Sequence, residues 1–327
     1  MLDLRLPLPF EGTQPRGNSF LRGLNRFVRS LIPLDIDPSV ELLSPAKEGG
    51  HTVQEVSIPV GRLATPGYLF SPAKWTGATV CFVHGTAAEK VLPYYFYVRA
   101  LIRSGMQVLF FELDGHGRNP RPLRFPGIEE CVPAALRFLQ KHPGVDSDRV
   151  GVAGVSLGGA CALHAAARMD GIKAVATIST PHTVHLDELD KLKEALGTLN
   201  PEMLPVVLEA SPNRLLEFVT APMRICCSDD PHSYDEFDLL DERLMPAIGN
   251  LISRLDPLGN AMKLEGIPLL VVNGAWDHQA PAWQAEDIFS LAPGPKELHI
   301  EPRRNHFTVM ASRRPIQATV DWFEKWL

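Results

Sequence analysis

The sequence predicts an α/β domain with a mostly parallel central sheet and helices on both faces. Short, continuously apolar runs recur along the chain, and such runs are typical of strands that are buried on both sides. Segments with the helical spacing of apolar residues separate these runs, as they do in βαβ units. In a sheet with right-handed crossovers the carboxyl ends of the strands lie along one edge, where ligands bind in such folds. The predicted strands of this kind are Ala78–Val83, Met106–Glu112, Val150–Ala153, Ile172–Ile178, Ile267–Asn273 and Glu297–Glu301.

The composition argues against several classes of protein. The chain has 327 residues, of which 45% are hydrophobic, so a large core can form. A net charge of −6 without any basic run argues against nucleic-acid binding. No apolar run reaches about 18 residues, the length of a membrane span, and the first residues lack the layout of a signal peptide. The five cysteines are odd in number and lack metal-binding spacing, which favours reduced thiols, a cytoplasmic location and no metal.

The chain divides into three predicted parts. Residues 1–50 form an N-terminal extension with an amphipathic helix over Asn18–Ile32. Packing on the domain is favoured over contact with a membrane for this helix, so no stable membrane anchor is expected. Residues 51–180 and 263–327 form the α/β core. Residues 181–262 lack strand alternation and are broken by prolines, which predicts an inserted helical cap.

Local patterns predict the remaining elements. Two strands, around Val53–Val60 and Ala64–Phe70, precede the first buried strand, with a Gly-Arg turn between them. The acidic stretch Ser228–Glu242 fits a solvated face better than a metal site. Helices are predicted at Tyr94–Ser104, Glu129–Lys141, Gly158–Met169 and Arg314–Leu327 in the core, and at His185–Leu196, Met203–Ala210, Asn213–Val219 and Asp238–Leu255 in the cap.

A Gly-x-Ser-x-Gly sequence lies between a predicted strand and a predicted helix. This pattern is typical of a sharp, strained turn that exposes the hydroxyl of its serine, here Ser156. Gly154 and Gly158 flank it because a Cβ at either position is expected to clash where the helix folds back on the strand. The amide of Leu157 lies at the helix N-terminus, which favours a developing negative charge. The turn therefore predicts a nucleophile and one oxyanion donor.

A serine nucleophile needs a histidine base that is oriented by a carboxylate. Asp277 and His306 each follow a predicted strand, so parallel pairing brings both to the edge that carries Ser156. Asp187 is an alternative acid, and Asp277 could instead cap the helix that follows it. His278 and His299 are alternative bases, but His278 adjoins the acid too closely to face it and His299 lies within a strand.

Two further strand ends carry glycine and histidine. In His84-Gly85-Thr86 the glycine lets the backbone turn over the site, so the Thr86 amide is predicted to be the second oxyanion donor. His84 is expected to be structural. Asp114 and His116, in Asp114-Gly115-His116-Gly117, are assigned a scaffolding role.

Taken together, these motifs resemble the α/β-hydrolase-fold serine hydrolases, over about residues 50–327. The run Gly144–Val150 is also similar to the esterase-like and dienelactone-hydrolase-like members. The chain has no His-Gly-Gly-Gly motif, which argues against the hormone-sensitive-lipase branch. Its nucleophile is serine rather than the cysteine of dienelactone hydrolases, which argues against that substrate class.

The resemblance implies a cofactor-independent hydrolase of carboxylic esters, with Ser156, His306 and Asp277 as its catalytic triad. The Leu-, Phe- and Met-rich cap suggests a small apolar acyl or aryl ester as substrate, and the protein is expected to be a monomer or homodimer. Thioester hydrolysis, acyl transfer and carbon–carbon bond cleavage can use the same residues. A binding protein that kept the fold and lost turnover is the less favoured alternative.

Overall fold

The structure is a computed structural model that describes residues 50–86, 95–184 and 243–327, with residues 223–228, 230, 233–237 and 241. The predicted N-terminal helix Asn18–Ile32 lies outside these residues. So do three predicted cap helices, between His185 and Val219, and the alternative acid Asp187.

Eight strands form one sheet: β1 (His51–Val60), β2 (Leu63–Pro72), β3 (Thr79–Val83), β4 (Gln107–Phe111), β5 (Val150–Val155), β6 (Ile172–Ile178), β9 (Leu269–Gly274) and β10 (Lys296–Glu301). Their order in the sheet is β1-β2-β4-β3-β5-β6-β9-β10. The first two strands form an antiparallel hairpin, and β2 is also antiparallel to β4; all other neighbours are parallel. The prediction of a mostly parallel sheet is therefore confirmed. The strands β7 (Met223–Ile225) and β8 (Asp235–Phe237) form a separate pair.

Burial along the strands follows their position in the sheet. Every residue of β3, β4, β5 and β9 is buried, which is why these segments are apolar without alternation. The edge strands β1 and β10 keep exposed or half-exposed residues. Because β3, β5, β6, β9 and β10 are parallel, their carboxyl ends all open on one edge of the sheet.

Helices cover both faces of the sheet, as predicted. Alternate residues of β3 show the division: Cys81 and Val83 belong to one apolar cluster, whereas Val80 and Phe82 belong to the other. The first cluster includes side chains of α2 (Cys131–Lys141), α3 (Leu157–Ala166) and α6 (Ala282–Leu291). The second includes side chains of α1 (Tyr95–Arg103) and α7 (Arg313–Trp326). None of the helices in the described ranges is long and apolar enough to cross a bilayer. Two further helices are α4 (Leu244–Leu255) and α5 (Pro257–Ala261).

The C-terminal helix α7 is fixed to the sheet by both packing and a hydrogen bond. Phe323 is fully buried and lies against Gly151 of β5, where an added Cβ would overlap its ring. The indole Nε1–H of Trp322 donates to the carbonyl oxygen of Val175 at 3.0 Å. A buried indole needs such a partner, so this contact fixes the rotation of the helix about its axis.

The described part of the predicted cap includes two strands that the sequence pattern did not indicate. β7 and β8 pair antiparallel and have three residues each, too few for a period of two to stand out. Backbone bonds attach β7 to the core: the Leu123 N–H donates to the Arg224 carbonyl oxygen at 2.7 Å, and the Cys226 N–H donates to the Leu123 carbonyl oxygen at 3.0 Å. The helix expected from Asp238 begins at Leu244. The boundaries between the extension, the core and the cap stay a prediction.

Candidate active site

Ser156 lies at the corner between β5 and α3. Its backbone has φ 52° and ψ −123°, a conformation that L-residues rarely adopt and that is strained for a residue with a side chain. The Ser156 N–H donates to the carbonyl oxygen of Ile178 on the neighbouring strand β6 at 2.9 Å. The corner is therefore held by the sheet, and its serine stays partly accessible while Leu157 beside it is fully buried.

The glycines on either side of Ser156 are required by close backbone contact. A Cβ on Gly154 would overlap the carbonyl group of Gly158, where the helix folds back over the strand. A Cβ on Gly158 would overlap the carbonyl oxygens of Val83 and His84 at the end of β3. The predicted reason for both glycines is confirmed. The same packing brings the residues after β3 next to the serine corner.

Asp277 and His306 are hydrogen-bonded to each other. Nδ1 of His306 lies 2.9 Å from Oδ2 and 3.1 Å from Oδ1 of Asp277, and both side chains are buried. A carboxylate only accepts hydrogen bonds, so Nδ1 carries the proton. This tautomer leaves Nε2 of His306 able to accept a proton from a hydroxyl.

Backbone hydrogen bonds join the Asp277 loop to the His306 loop. The Trp276 N–H donates to the Arg304 carbonyl oxygen at 2.8 Å, and Gly274 approaches that carbonyl so closely that a Cβ would overlap it. Oδ1 of Asp277 also accepts the N–H groups of Gln279 at 3.0 Å and of Ala280 at 2.8 Å. Three donors thus fix the carboxylate, and the loop cannot shift without breaking several bonds.

Ser156 and His306 line one cavity at the carboxyl edge of the sheet. Gly85 and Thr86, after β3, line it too. Asp277 lies behind His306 and does not line the cavity. The remaining lining is mostly apolar, from Val155, Pro181, Val184, Leu244, Met245, Ile248, Gln279, Phe307 and Met310.

Of the two amides expected to hold an oxyanion, that of Leu157 lies in the serine corner and that of Thr86 lies in the loop after β3, and both residues adjoin Ser156 or line its cavity. Leu157 is the first residue of α3, where the amide has no carbonyl one turn earlier in the helix to accept its bond. Within the described ranges, neither the Leu157 N–H nor the Thr86 N–H has a hydrogen-bond acceptor. Two N–H groups, one at a helix N-terminus and one in the adjoining loop, can donate hydrogen bonds that stabilise negative charge on a substrate oxygen.

His84 orients the peptide that carries the Thr86 amide. Its Nε2 accepts the Leu113 N–H at 2.8 Å, so the proton is on Nδ1, which donates to the Gly85 carbonyl oxygen at 2.7 Å. Burial, and secondarily the nearby His116, lower the pKa of His84 well below its ordinary value, so the ring stays neutral. Because C=O and N–H point in opposite directions across a trans peptide, fixing the Gly85 carbonyl also fixes the Thr86 N–H.

Asp114 and His116 have scaffolding contacts, as expected. Oδ1 of Asp114 accepts a charge-assisted bond from Nε of Arg121 at 2.8 Å, and Arg121 also donates to the carbonyl oxygen of Gly127 at 2.9 Å. Nδ1 of His116 bonds the Asp114 carbonyl oxygen at 2.8 Å, and burial lowers the pKa of His116 to about 4. Sequence reasoning did not predict this role for Arg121, because the bonds depend on how the loop after β4 folds and on Val60, whose carbonyl oxygen accepts from Arg121 and lies 61 residues earlier in the chain.

The alternative bases do not reach the acid. His299 pairs with Glu301 at 2.8 Å on β10, and His278 is exposed. No cluster of three His, Cys, Asp or Glu side chains suited to a metal ion occurs among the residues that the structure describes.

Comparison with known proteins agrees with the fold. The model of the alpha/beta hydrolase family matches residues 82–322. The thiohydrolase aneE of Aspergillus aculeatus is 25% identical over 252 residues, which cover 70% of this chain and 79% of that protein. DcsB, solved in complex with its substrate analogue, superposes with a TM-score of 0.62 and 15% identity, over 84% of this chain and 99% of that one. The Pyrococcus furiosus esterase Pf2001 gives a TM-score of 0.58 and 17% identity, over 89% and 97% of the two chains.

The structural likenesses show the fold, and the family match covers well over half of the sequence, including the serine corner, Asp277 and His306. The chain belongs to the alpha/beta hydrolase family and is a hydrolase.

Proposed function

We propose that the protein hydrolyses a carboxylic ester through an acyl-enzyme on Ser156. The observation that carries this proposal is that His306, held by Asp277, lines the same cavity as Ser156 on its strained corner. A serine hydroxyl, an imidazole and a buried carboxylate in this arrangement suit acyl transfer.

The reaction needs four steps from these residues. The Ser156 hydroxyl attacks the acyl carbonyl while Nε2 of His306 takes its proton. The amides of Leu157 and Thr86 then hold the oxyanion, and removal of one such donor typically costs about 10²–10³ in rate. His306 returns the proton to the leaving alcohol, and water releases the acid by the same route, with Asp277 orienting the imidazolium throughout.

The cavity lining supports a small apolar acyl or aryl group as the substrate. Met245, Ile248 and Met310 bring unbranched or aliphatic side chains to the cavity, and methionine adapts its shape to varied apolar groups. α4 contributes Leu244 and Ile248 one turn apart on the same face, so this helix forms one wall of the cavity.

Turnover of 4-nitrophenyl esters of increasing acyl length, measured for the intact chain and for two variants, tests the proposal. Ser156→Ala is expected to lower kcat by about 10⁴ or more, because the nucleophile is lost. Ser179→Ala is the matched control: Ser179 also has a positive φ, of 47°, at the end of the neighbouring strand, but it does not line the cavity. Equal losses in both variants, or full activity in Ser156→Ala, would contradict the proposal.

Thioester hydrolysis is the second candidate, because a relative that this chain matches over most of its length is a thiohydrolase. An oxygen ester and a thioester of the same acyl chain separate the two. A kcat/KM that is higher for the thioester by more than its intrinsic reactivity would favour the second candidate.

A further inference from the structure

Gln279 lies in the Asp277 loop, and its backbone is fixed by the acid itself. Its N–H donates to Oδ1 of Asp277 at 3.0 Å, and Nδ1 of His306 lies 3.1 Å from the same oxygen atom. The next residue, Ala280, is held on both sides, since its N–H donates to Asp277 and its carbonyl oxygen accepts from Nδ2 of Asn273 at 2.8 Å. Gln279 therefore projects from a backbone that moves with the acid and the base.

The side-chain nitrogen of Gln279 is unsatisfied. Gln279 lines the cavity with Ser156 and His306, and its Nε2 is buried without a hydrogen-bond partner among the described residues. Buried amide groups in folded proteins nearly always have a partner, because an unpaired one has lost its hydration with nothing in exchange. The side chains of the aliphatic residues in the lining, such as Ile248, offer no acceptor. A hydrogen-bond acceptor on a bound ligand would satisfy Nε2 of Gln279.

The position of Gln279 indicates which part of a substrate it meets. A base that protonates the leaving group faces that group, and Gln279 shares its anchoring oxygen with that base. The described residues that line the cavity include no Lys or Arg, so a charged acceptor would find no basic counter-charge among them. The acceptor that fits is a neutral oxygen.

On the basis of the proposed ester hydrolysis, we infer that Nε2 of Gln279 donates a hydrogen bond to a neutral oxygen in the leaving group. Preferred substrates then carry an ether, hydroxyl or carbonyl oxygen in the alcohol part of the ester, a few bonds beyond the scissile bond. Gln279 is a specificity-determining residue in this account, and it takes no part in proton transfer.

Two pairs of butanoate esters, in which an ether oxygen replaces a methylene group, test this inference. The pairs are 2-methoxyethyl against n-butyl and 3-methoxypropyl against n-pentyl. The ratio of kcat/KM within each pair is measured for the wild-type protein and for Gln279→Met, which keeps the length of the side chain and removes its donor. Taking the quotient of the two ratios cancels the difference in leaving-group reactivity.

In at least one pair, Gln279→Met is expected to lower the preference for the oxygen-bearing ester by about tenfold, the effect of one lost hydrogen bond. The all-carbon esters should change by less than about twofold. An equal loss for both members of each pair would show a structural role, and no change in either ratio would show that Gln279 meets no substrate oxygen. Either result would overturn the inference.

Binding to Ser156→Ala separates this inference from the proposed function. Dissociation constants of the same esters are measured by calorimetry with and without Gln279→Met. If the wild-type protein hydrolyses none of the esters, the proposed function fails. The inference about Gln279 survives that result only if Gln279→Met still weakens binding of an oxygen-bearing ester by about tenfold relative to its all-carbon partner.

Discussion

The two sides of the site are held by different kinds of contact. On the nucleophile side, Gly154 and Gly158 let backbone segments approach so closely that no side chain fits between them. On the acid–base side, Asp277 is held by hydrogen bonds from His306, Gln279 and Ala280. Close backbone packing, with one backbone hydrogen bond to Ile178, positions the serine, whereas several hydrogen bonds to one carboxylate position the base. Substitutions of the glycines on the first side should therefore affect the fold, and substitutions of Asp277 on the second should affect the chemistry.

Among substitutions that keep Ser156, the largest expected effect is on the acid–base side. Asp277→Asn should lower kcat by about 10³–10⁴, because a carboxamide cannot offer oxygen to Nδ1 of His306 and to two backbone amides as a carboxylate does. Circular dichroism should show an intact fold. Glu301→Gln is the matched control, since it changes another carboxylate–histidine pair, with His299, and should alter kcat by less than about threefold. Similar losses in both variants would contradict the role of Asp277.

On the nucleophile side the expected effect is on stability. Gly158→Ala should lower the free energy of unfolding by about 3 kcal/mol, because the added Cβ meets backbone carbonyl groups that cannot move aside. Gly144→Ala is the control: Gly144 is exposed, and a Cβ there would make ordinary contacts with His142, so the change should stay within about 0.5 kcal/mol. Denaturant unfolding measures both. If Gly158→Ala is as stable as the wild-type protein, close packing does not shape the corner.

A smaller effect is expected from pH, through the buried histidines next to the nucleophile side. The pKa of His116 is lowered by burial to about 4, so the unfolded chain binds more protons than the folded one between that value and the ordinary pKa near 6.5. The part of the folding stability that depends on a neutral His116 is therefore fully present above pH 6.5 and is lost as the pH falls toward 4. His116 alone should remove about 2 kcal/mol between pH 7 and pH 5.

His116→Asn tests this assignment, because its side-chain amide can keep a donor near Nδ1 but does not titrate. The free energy of unfolding of this variant should fall less steeply from pH 7 to pH 5 than that of the wild-type protein. Parallel curves for the two proteins would show that the pH dependence arises elsewhere.

The smallest effect concerns the hydrogen bond from His84 to the Gly85 carbonyl oxygen, next to the serine corner. His84→Gln should keep an acceptor for the Leu113 N–H and lose the donor to the Gly85 carbonyl oxygen. We expect about a tenfold lower kcat with little change in KM, because the Thr86 amide acts on the oxyanion and not on the ground state. His84→Asn, which restores a donor near Nδ1, should recover part of the loss. Equal activity in both variants would remove His84 from the positioning of Thr86.

Sequence reasoning succeeded where local pattern decides the structure. Gly-x-Ser-x-Gly after an apolar run predicts the corner at Ser156 because the constraint spans only five residues. The pairing of Asp277 with His306 was predictable from their positions at strand ends, since parallel strands bring such ends together.

The contacts that were not predicted depend on packing between distant segments. Arg121 bonds to Asp114 and to the carbonyl oxygen of Val60, which lies 61 residues earlier in the chain. The unsatisfied side-chain nitrogen of Gln279 becomes apparent only when the cavity is assembled. The strands β7 and β8 were not predicted, because three residues are too few to show the alternation of apolar and polar residues that indicates a strand.

The most direct test of the account is the site at which a fluorophosphonate reacts with the folded protein. Mass spectrometry of the digested adduct should place the phosphonyl group on Ser156, and Asp277→Asn should slow its formation in proportion to the loss of kcat. An adduct on another residue, or no adduct with protein that is folded by circular dichroism, would contradict the claim that Ser156 is the nucleophile.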